Sequence, residues 1–497
     1  MKKNKVLTLF IIYTFVIFQN TNIYAETTRW PVPDWESADN SLQMSSNQCQ
    51  KFKDFSTKTK NIKTDGLLVI KDGLVQYEYY DSQNNINKPH ALWSVTKTIT
   101  GALLGIAERD GRVSLNQKLF NYYPKVKRDD NYKKIILKNL LYLDAGFIWD
   151  EASQDISVNP VIGMLYGTGH EDMANFAAGR KIIKEGPTYK WNYSTGIPTI
   201  TMGVLKKIYG GQSYDELPWR NLFNPLGMTT AVFERDPAGT FLGGSGGFAT
   251  LRDLAKIGYL YLNGGQWNGE VILTPEWIQK MLTPAPGYVS PGTVITDITS
   301  DGVYGGSIWL NRKIKEGYGK PYPYSPEDMY FAMGLLGQLI IMLPTQNMII
   351  IRTGYGFGFN SKMDEFVSRA ISCFHDPKYP IGKEIPPLYP STLGIGTLIR
   401  NVKNAVQANT LQATIAKTIC SCHLVSEMDI PICVKRNDFT LSKLLTKLEV
   451  KKNIELDGKI AIQVKLARFA RIFKLHYGNS AMAVYDPNHA EYGCTLK

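Results

Sequence analysis

One tetrapeptide, Ser94-Val95-Thr96-Lys97, narrows what this chain can be more than any other feature. It heads SVTKTITGALLGIAERDG, whose apolar periodicity predicts a buried helix. Positions i and i+3 share a helix face, so the Ser94 hydroxyl and the Lys97 amine can meet. A serine hydroxyl is a weak nucleophile alone. A lysine desolvated in a helix-lined cleft can lose its proton and serve as the adjacent base. A first-turn Ser94 also sets its backbone N–H at the positive end of the helix dipole, where an oxyanion is stabilised. The bland alternative is a helix-capping serine followed by a solvated lysine.

The rest of the chain decides between these readings. With 497 residues and 44% hydrophobic content, it is long enough for one large or two smaller packed domains. Residues 1–25 read as a secretory signal: basic MKKNK, an apolar VLTLFIIYTFVIF, then NIYA before a cut after Ala25. The apolar run of about 13 residues falls short of the roughly 20 that a membrane span needs. The expectation is therefore an exported bacterial protein, periplasmic or secreted, with no stable membrane span after signal removal.

Six cysteines, four of them in the last 80 residues (Cys420, Cys422, Cys433 and Cys494), suit disulfides in such a chain. The C-x-C-H run lacks the usual zinc-knuckle spacing, so a metal is the weaker alternative. The net charge of +12 is spread along the chain. No arginine stripe with interleaved aromatics marks a nucleic-acid partner.

A polar lead occupies 26–60. GLLVIKDGLVQYEYYD predicts a hairpin turning at Asp72-Gly73, and GQLIIMLPTQNMIIIRTG predicts two buried antiparallel strands. Between them lie helical patterns: short helices in VSLNQKLFNYYP and IILKNLLYLDAGFIWDE, a longer run in NPVIGMLYGTGHEDMANFAAGR, and a stretch following YKWNYSTGIPTITMGVLKKIYGG. Strands at both ends of a helical middle predict an α+β domain over 61–380, with the terminal strands closing one antiparallel sheet. A proline-rich linker, 381–410, and a small α+β accessory domain, 411–497, complete the expected organisation.

Several stretches, in order, resemble the serine β-lactamase and penicillin-binding-protein-like hydrolases, which include the class C enzymes. These are LWSVTKTITG, LKNLLYLDAGFIWDE, EDMANFAAGR, YKWNYSTG, the long block FNPLGMTTAVFERDPAGTFLGGSGGFATLRDLAKIGYLYLNGGQWNGEVILTPEW, and FAMGLLGQLIIMLP. The likeness spans about Gly66 to Asp376 and is nearest to the esterase and 6-aminohexanoate-dimer hydrolase branch. It implies a β-lactamase/transpeptidase-like fold, with an antiparallel sheet flanked by helices and an all-helical region beside it. It also implies Ser94 as the acyl-forming nucleophile, Lys97 as its base and Tyr193 as proton shuttle, with no cofactor and no metal. The same alignment places Leu335-Leu336-Gly337 at the third motif, on an edge strand. It assigns substrate contacts to Thr195, Leu335 and Gly337, and the oxyanion hole to the backbone N–H groups of Ser94 and Gln338.

Two departures from the penicillin-recognising pattern bear on substrate. Thr195 replaces an asparagine, and Leu335 replaces the cation that pairs with a carboxylate. The expected substrate is therefore a neutral ester or amide. The alternatives are β-lactamase or D-Ala-D-Ala carboxypeptidase activity, with Arg352 as a substitute cation, or a catalytically silent envelope protein. A rival nucleophile stands in Gly243-Gly244-Ser245-Gly246-Gly247, which matches the α/β-hydrolase elbow G-x-S-x-G but lacks a convincing strand before it.

Overall fold

The computed structural model describes residues 28–59, 62–124, 130–151, 153, 158–289, 302–314, 319–356, 359–384, 405–436, 448–466 and 481–497. The expected signal segment and most of the proline-rich linker lie outside them.

The fold is built on an eight-stranded sheet in the order Glu36–Ser37, Leu74–Tyr80, Thr64–Lys71, Met348–Gly354, Gln338–Leu343, Tyr330–Gly334, Trp309–Leu310, Val303–Tyr304. All neighbours pair antiparallel except the first pair. The first hairpin turns at Asp72-Gly73, both in the left-handed region a tight turn requires. Its strand Thr64–Lys71 then pairs with Met348–Gly354, so segments nearly 300 residues apart close the sheet. The central strands are apolar on both faces because both faces are covered. The helix Leu251–Leu262 packs on one side, where Gly258 approaches Ile340. On the other side lie the helices Asn47–Lys58 and Met363–Phe374, joined by Phe52–Phe366 contact and the Cys49–Cys373 disulfide. The polar lead is thus part of the packed unit, which starts before residue 61.

The helical region holds Thr96–Arg109, Leu137–Leu141, Pro160–Leu165, Met173–Ala178 and Gly196–Tyr209. Residues 96 to 107 of the first of these are all buried, as expected of a helix apolar nearly all round. The run from Asn159 to Arg180 is two short helices, capped separately by Asn159 and Asp172. The helix expected after YKWNYSTGIPTITMGVLKKIYGG begins inside that segment, because Ser194 accepts from the Gly196 and Ile197 amides and caps it there.

The C-terminal module is a helix, Ala405–Cys420, against a four-stranded antiparallel sheet, Leu448–Leu456, Lys459–Leu466, Ala481–Tyr485 and Cys494–Leu496. The helix starts inside the segment expected to be linker. Disulfides Cys420–Cys494 and Cys422–Cys433 tie the module, and no residue group among those described has the make-up of a metal site. Its contact with the rest of the molecule is polar at the centre. Glu234 meets Lys417 at 2.5 Å and Ser421 at 2.5 Å, and accepts from the Cys494 amide at 3.2 Å. Among the described residues no helix is long and apolar enough to cross a membrane.

Candidate active site

Ser94 lies in a single 3-10 turn, Trp93–Val95, that feeds directly into the helix Thr96–Arg109. Trp93 holds φ +48°, a conformation costly for a bulky residue and the kind of local strain that gathers at working sites. Lys97, one turn on, is 2% exposed. Its Nζ makes three contacts: Ser94 Oγ at 2.8 Å, Thr195 Oγ1 at 3.2 Å and the Gly244 carbonyl at 2.9 Å. Burial pushes its pKa down to about 8, against the opposing pull of Glu151. A neutral Lys97 can donate to Thr195 and Gly244 while its lone pair faces the Ser94 hydroxyl. That arrangement primes the serine for deprotonation.

The glycine-rich run carries the third of these contacts and explains its own composition. A Cβ on Gly244 would sit 2.3 Å from the Thr195 carbonyl, so only glycine lets this loop approach the helix Gly196–Tyr209 and present its carbonyl to Lys97. Ser245 follows this carbonyl. No parallel strand precedes it; the strand Gly247–Ala249 comes after it, in a small antiparallel sheet with His90–Ala91 and Val232–Phe233. The elbow geometry that would make Ser245 a nucleophile is absent among the described residues.

Tyr193 stacks on Trp309 at 5.7 Å between ring centroids, 23° from parallel, and Lys97 Nζ lies 4.6 Å from its own ring centroid. The cation thus faces the π surface of Tyr193. Ser194 is spent on the helix cap, which aims the next residue, Thr195, at Lys97.

Sequence reasoning missed Glu151. Its carboxylate accepts from Trp149 Nε1 at 2.7 Å, from the Thr195 amide, and from Thr195 Oγ1 at 3.2 Å. Ser94, Lys97, Thr195 and Glu151 therefore form one continuous chain of polar contacts. The only hint in the sequence was its place in LDAGFIWDE, within the stretch assigned to a helix and turn.

The segment expected to carry the third motif on an edge strand is differently placed. Leu335-Leu336-Gly337 is the hairpin turn after the strand Tyr330–Gly334, with φ +68° at Leu336 and +85° at Gly337, and that strand is interior to the sheet. Leu335 is 44% exposed. The residue that abuts the nucleophile is Gly334: a Cβ there would lie 3.2 Å from Ser94 N and 2.3 Å from the Leu92 carbonyl. Gln338 pairs across from Gly334, and its side chain is tied to Leu335 O and to the Gly354 backbone. Arg352 is fully buried behind this turn. It donates to Gly337 O at 2.6 Å and Thr64 Oγ1 at 3.1 Å, and stacks 4.0 Å from the Phe359 centroid. It braces the hairpin and does not reach the cleft.

A sheet with a helical region beside it and a Ser-x-x-Lys between them defines the β-lactamase/transpeptidase-like fold. The chain belongs to the β-lactamase family, whose model matches residues 50–358. Among curated proteins it is similar to a 6-aminohexanoate-dimer hydrolase of Paenarthrobacter ureafaciens, 22% identical over 253 residues, covering 50% of this chain and 64% of the relative, just under two thirds of its length. Among solved structures it is similar to a provisional 6-aminohexanoate-dimer hydrolase from Bacillus anthracis (TM-score 0.55, 19% identity, covering 71% of this chain and 91% of that one). It is also similar to a penicillin-binding-protein homologue from Caulobacter crescentus (TM-score 0.50, 14% identity, 68% of this chain and 98% of that one).

Proposed function

We propose that this chain is a serine hydrolase that cleaves neutral esters or amides through an acyl-enzyme on Ser94. The observation that carries the reading is the buried Lys97, its pKa lowered to about 8, hydrogen-bonded to Ser94 Oγ at 2.8 Å. Neutral Lys97 takes the hydroxyl proton as Ser94 Oγ bonds to the substrate carbonyl carbon. The resulting oxyanion rests on the Ser94 N–H, beside which the Gly334 backbone lies close. As the tetrahedral intermediate collapses, the proton on Lys97 passes, with Tyr193 as shuttle, to the departing alcohol or amine. Water then attacks the acyl carbon, Lys97 takes its proton, and Ser94 leaves protonated with the acid as product.

The preference for neutral substrates rests on the cleft's charges. A β-lactam brings a carboxylate whose desolvation costs several kcal/mol unless a cation replaces the water. The strand that abuts Ser94, Tyr330–Gly334, carries none, and Arg352 is held behind the turn. A linear amide accords with the relative named for a 6-aminohexanoate dimer. The three disulfides and the basic-apolar leader support work outside the cytosol, in a periplasm or medium.

The test compares kcat/KM for a short-chain nitrophenyl ester, a linear amide and a chromogenic cephalosporin. Ester or amide turnover well above that of the cephalosporin supports the reading. Equal turnover of the cephalosporin removes the argument from the missing cation, and no turnover of any of the three favours a silent penicillin-binding-like fold.

A further inference from the structure

One short stretch of helical backbone carries both Ser94 and Lys97 and fixes their distance. Tyr193 has no such support. It lies in residues 191–194, which are neither helix nor strand, just before the helix Gly196–Tyr209. The backbone there is anchored ahead of it, at Trp191 N to Gly287 O (3.0 Å) and at Asn192 N to Leu143 O (3.3 Å). The direction of the phenol must therefore come from side-chain packing, since one change of χ1 rotamer would swing its hydroxyl out of place.

The sheet supplies that packing. Trp309 pairs directly across from Phe331 on one neighbouring strand and from Tyr304 on the other. Residues directly opposite share a sheet face, so the three rings form one row. Trp309 and Phe331 are stacked, 6.5 Å between centroids and 12° from parallel, and Tyr304 meets Trp309 edge-on at 4.8 Å and 86°. All three are buried. Tyr193 lies against this row, stacked on Trp309 at 5.7 Å and 23° and edge-on to Tyr304 at 6.1 Å and 87°. The strand that supplies Phe331 runs on to Gly334, which abuts Ser94. One sheet thus sets the phenol and the nucleophile in a common frame.

We propose that Trp309 is the positioning residue for leaving-group protonation: its stack holds the Tyr193 phenol where it delivers a proton to the departing atom. The proposal rests on the serine-hydrolase reading with Tyr193 as shuttle and deepens it. As the tetrahedral intermediate collapses, the bond from the acyl carbon to the leaving oxygen or nitrogen breaks. Tyr193 gives its proton to that atom and takes the one Lys97 gained from Ser94, so Lys97 returns neutral. A misplacement of about 1 Å costs such a step on the order of 100-fold. The loss falls on poor leaving groups. A nitrophenolate departs at neutral pH without a proton, whereas an ethoxide needs one. A ring that served only to fill the core would, once removed, slow both alike.

The experiment uses the full chain and compares kcat/KM for ethyl acetate with that for p-nitrophenyl acetate. The two share an acyl group, and kcat/KM runs only to the first irreversible step, release of the alcohol. Thermal melts check the fold of each variant, and Ser94 labelling by a fluorophosphonate is read alongside. Trp309→Leu is expected to lower the ethyl-to-nitrophenyl ratio tenfold or more, in the same direction as Tyr193→Phe, and Trp309→Phe, which keeps a flat ring, restores most of it. Added to Tyr193→Phe, Trp309→Leu lowers the ratio no further, because it acts through that phenol. Phe331→Leu removes the ring behind Trp309 and lowers the ratio severalfold, so the test stands if Trp309→Leu does not fold. If Tyr193→Phe shifts the ratio while Trp309→Leu, or Phe331→Leu in its place, slows both esters alike, the positioning role is overturned and the shuttle stands. A ratio that falls further in the double variant also overturns it. A ratio unmoved by Tyr193→Phe overturns the shuttle and this proposal with it. A wild type that neither labels nor turns over either ester overturns the serine hydrolase itself.

Discussion

Glu151→Gln should move the acid limb of the kcat/KM profile to lower pH by about one unit. The carboxylate and Lys97 Nζ each lie 3.2 Å from Thr195 Oγ1, so the two charges are within about 6 Å. At an effective dielectric of about 20 their attraction is roughly 3 kcal/mol, and the half-buried position of Glu151 screens this to about half. That corresponds to about one pH unit of support for the ammonium form. The sign follows from the group's chemistry. Glu151 favours charged Lys97, which is inactive as a base; removing its charge lowers the lysine pKa from about 8, and the neutral form persists to lower pH. Gln keeps an acceptor for the Thr195 amide, so the geometry is preserved. The assay is initial-rate ester hydrolysis from about pH 5.5 to 9.5. At about pH 6.5 the variant should exceed the wild type several-fold, with no gain on the alkaline plateau. A limb that stays put, or moves to higher pH, refutes Lys97 as the base whose charge Glu151 controls.

Thr195→Val removes the hydroxyl that links Lys97 to Glu151 and should lower kcat by about tenfold or more at constant fold, measured by steady-state kinetics with a thermal melt as control. Lys417→Ala strands a buried Glu234 and should cost about 3–5 kcal/mol, read by denaturant unfolding, with much of that loss recovered when Glu234→Gln is added. Cys420→Ser with Cys494→Ser opens a loop of 74 residues and should cost about 4 kcal/mol; an unchanged denaturation midpoint would contradict the pairing. Gly334→Ala should lower kcat/KM by orders of magnitude with a modest effect on melting temperature, because the added methyl presses on Leu92 O and Ser94 N.

The sequence made some of this legible for identifiable reasons. The two apolar runs around Leu68 and Ile350 and the Asp72-Gly73 turn are local signals, and they gave the sheet's centre. Ser94 and Lys97 were legible because the helix that joins them fixes their distance. Glu151 was not, because it reaches Thr195 across 44 residues through a loop with no period. The third-motif placement failed at Leu335–Gly337 because a strand-like apolar run, FAMGLLGQLIIML, conceals a turn that only backbone angles reveal. The polar lead hid a helix whose apolar face, Cys49 and Phe52, is short but fixed by a disulfide to a cysteine 324 residues away. The packing of the C-terminal module on the hydrolase domain had no sequence signal, since it joins residues far apart in the chain: the buried pair Glu234 and Lys417, and Ile162 and Phe248 in one apolar cluster with Leu411 and Ile415.

The central claim is that Ser94 forms an acyl-enzyme with Lys97 as its base. Intact-protein and peptide mass spectrometry after incubation with a fluorophosphonate, run on wild type, Ser94→Ala and Lys97→Ala across pH, tests it directly. The account predicts one adduct per chain on the peptide carrying Ser94, with a labelling rate that rises through about pH 8. It predicts no adduct in Ser94→Ala and labelling slower by orders of magnitude in Lys97→Ala. An adduct on Ser245, or undiminished ester turnover by Ser94→Ala, would contradict it.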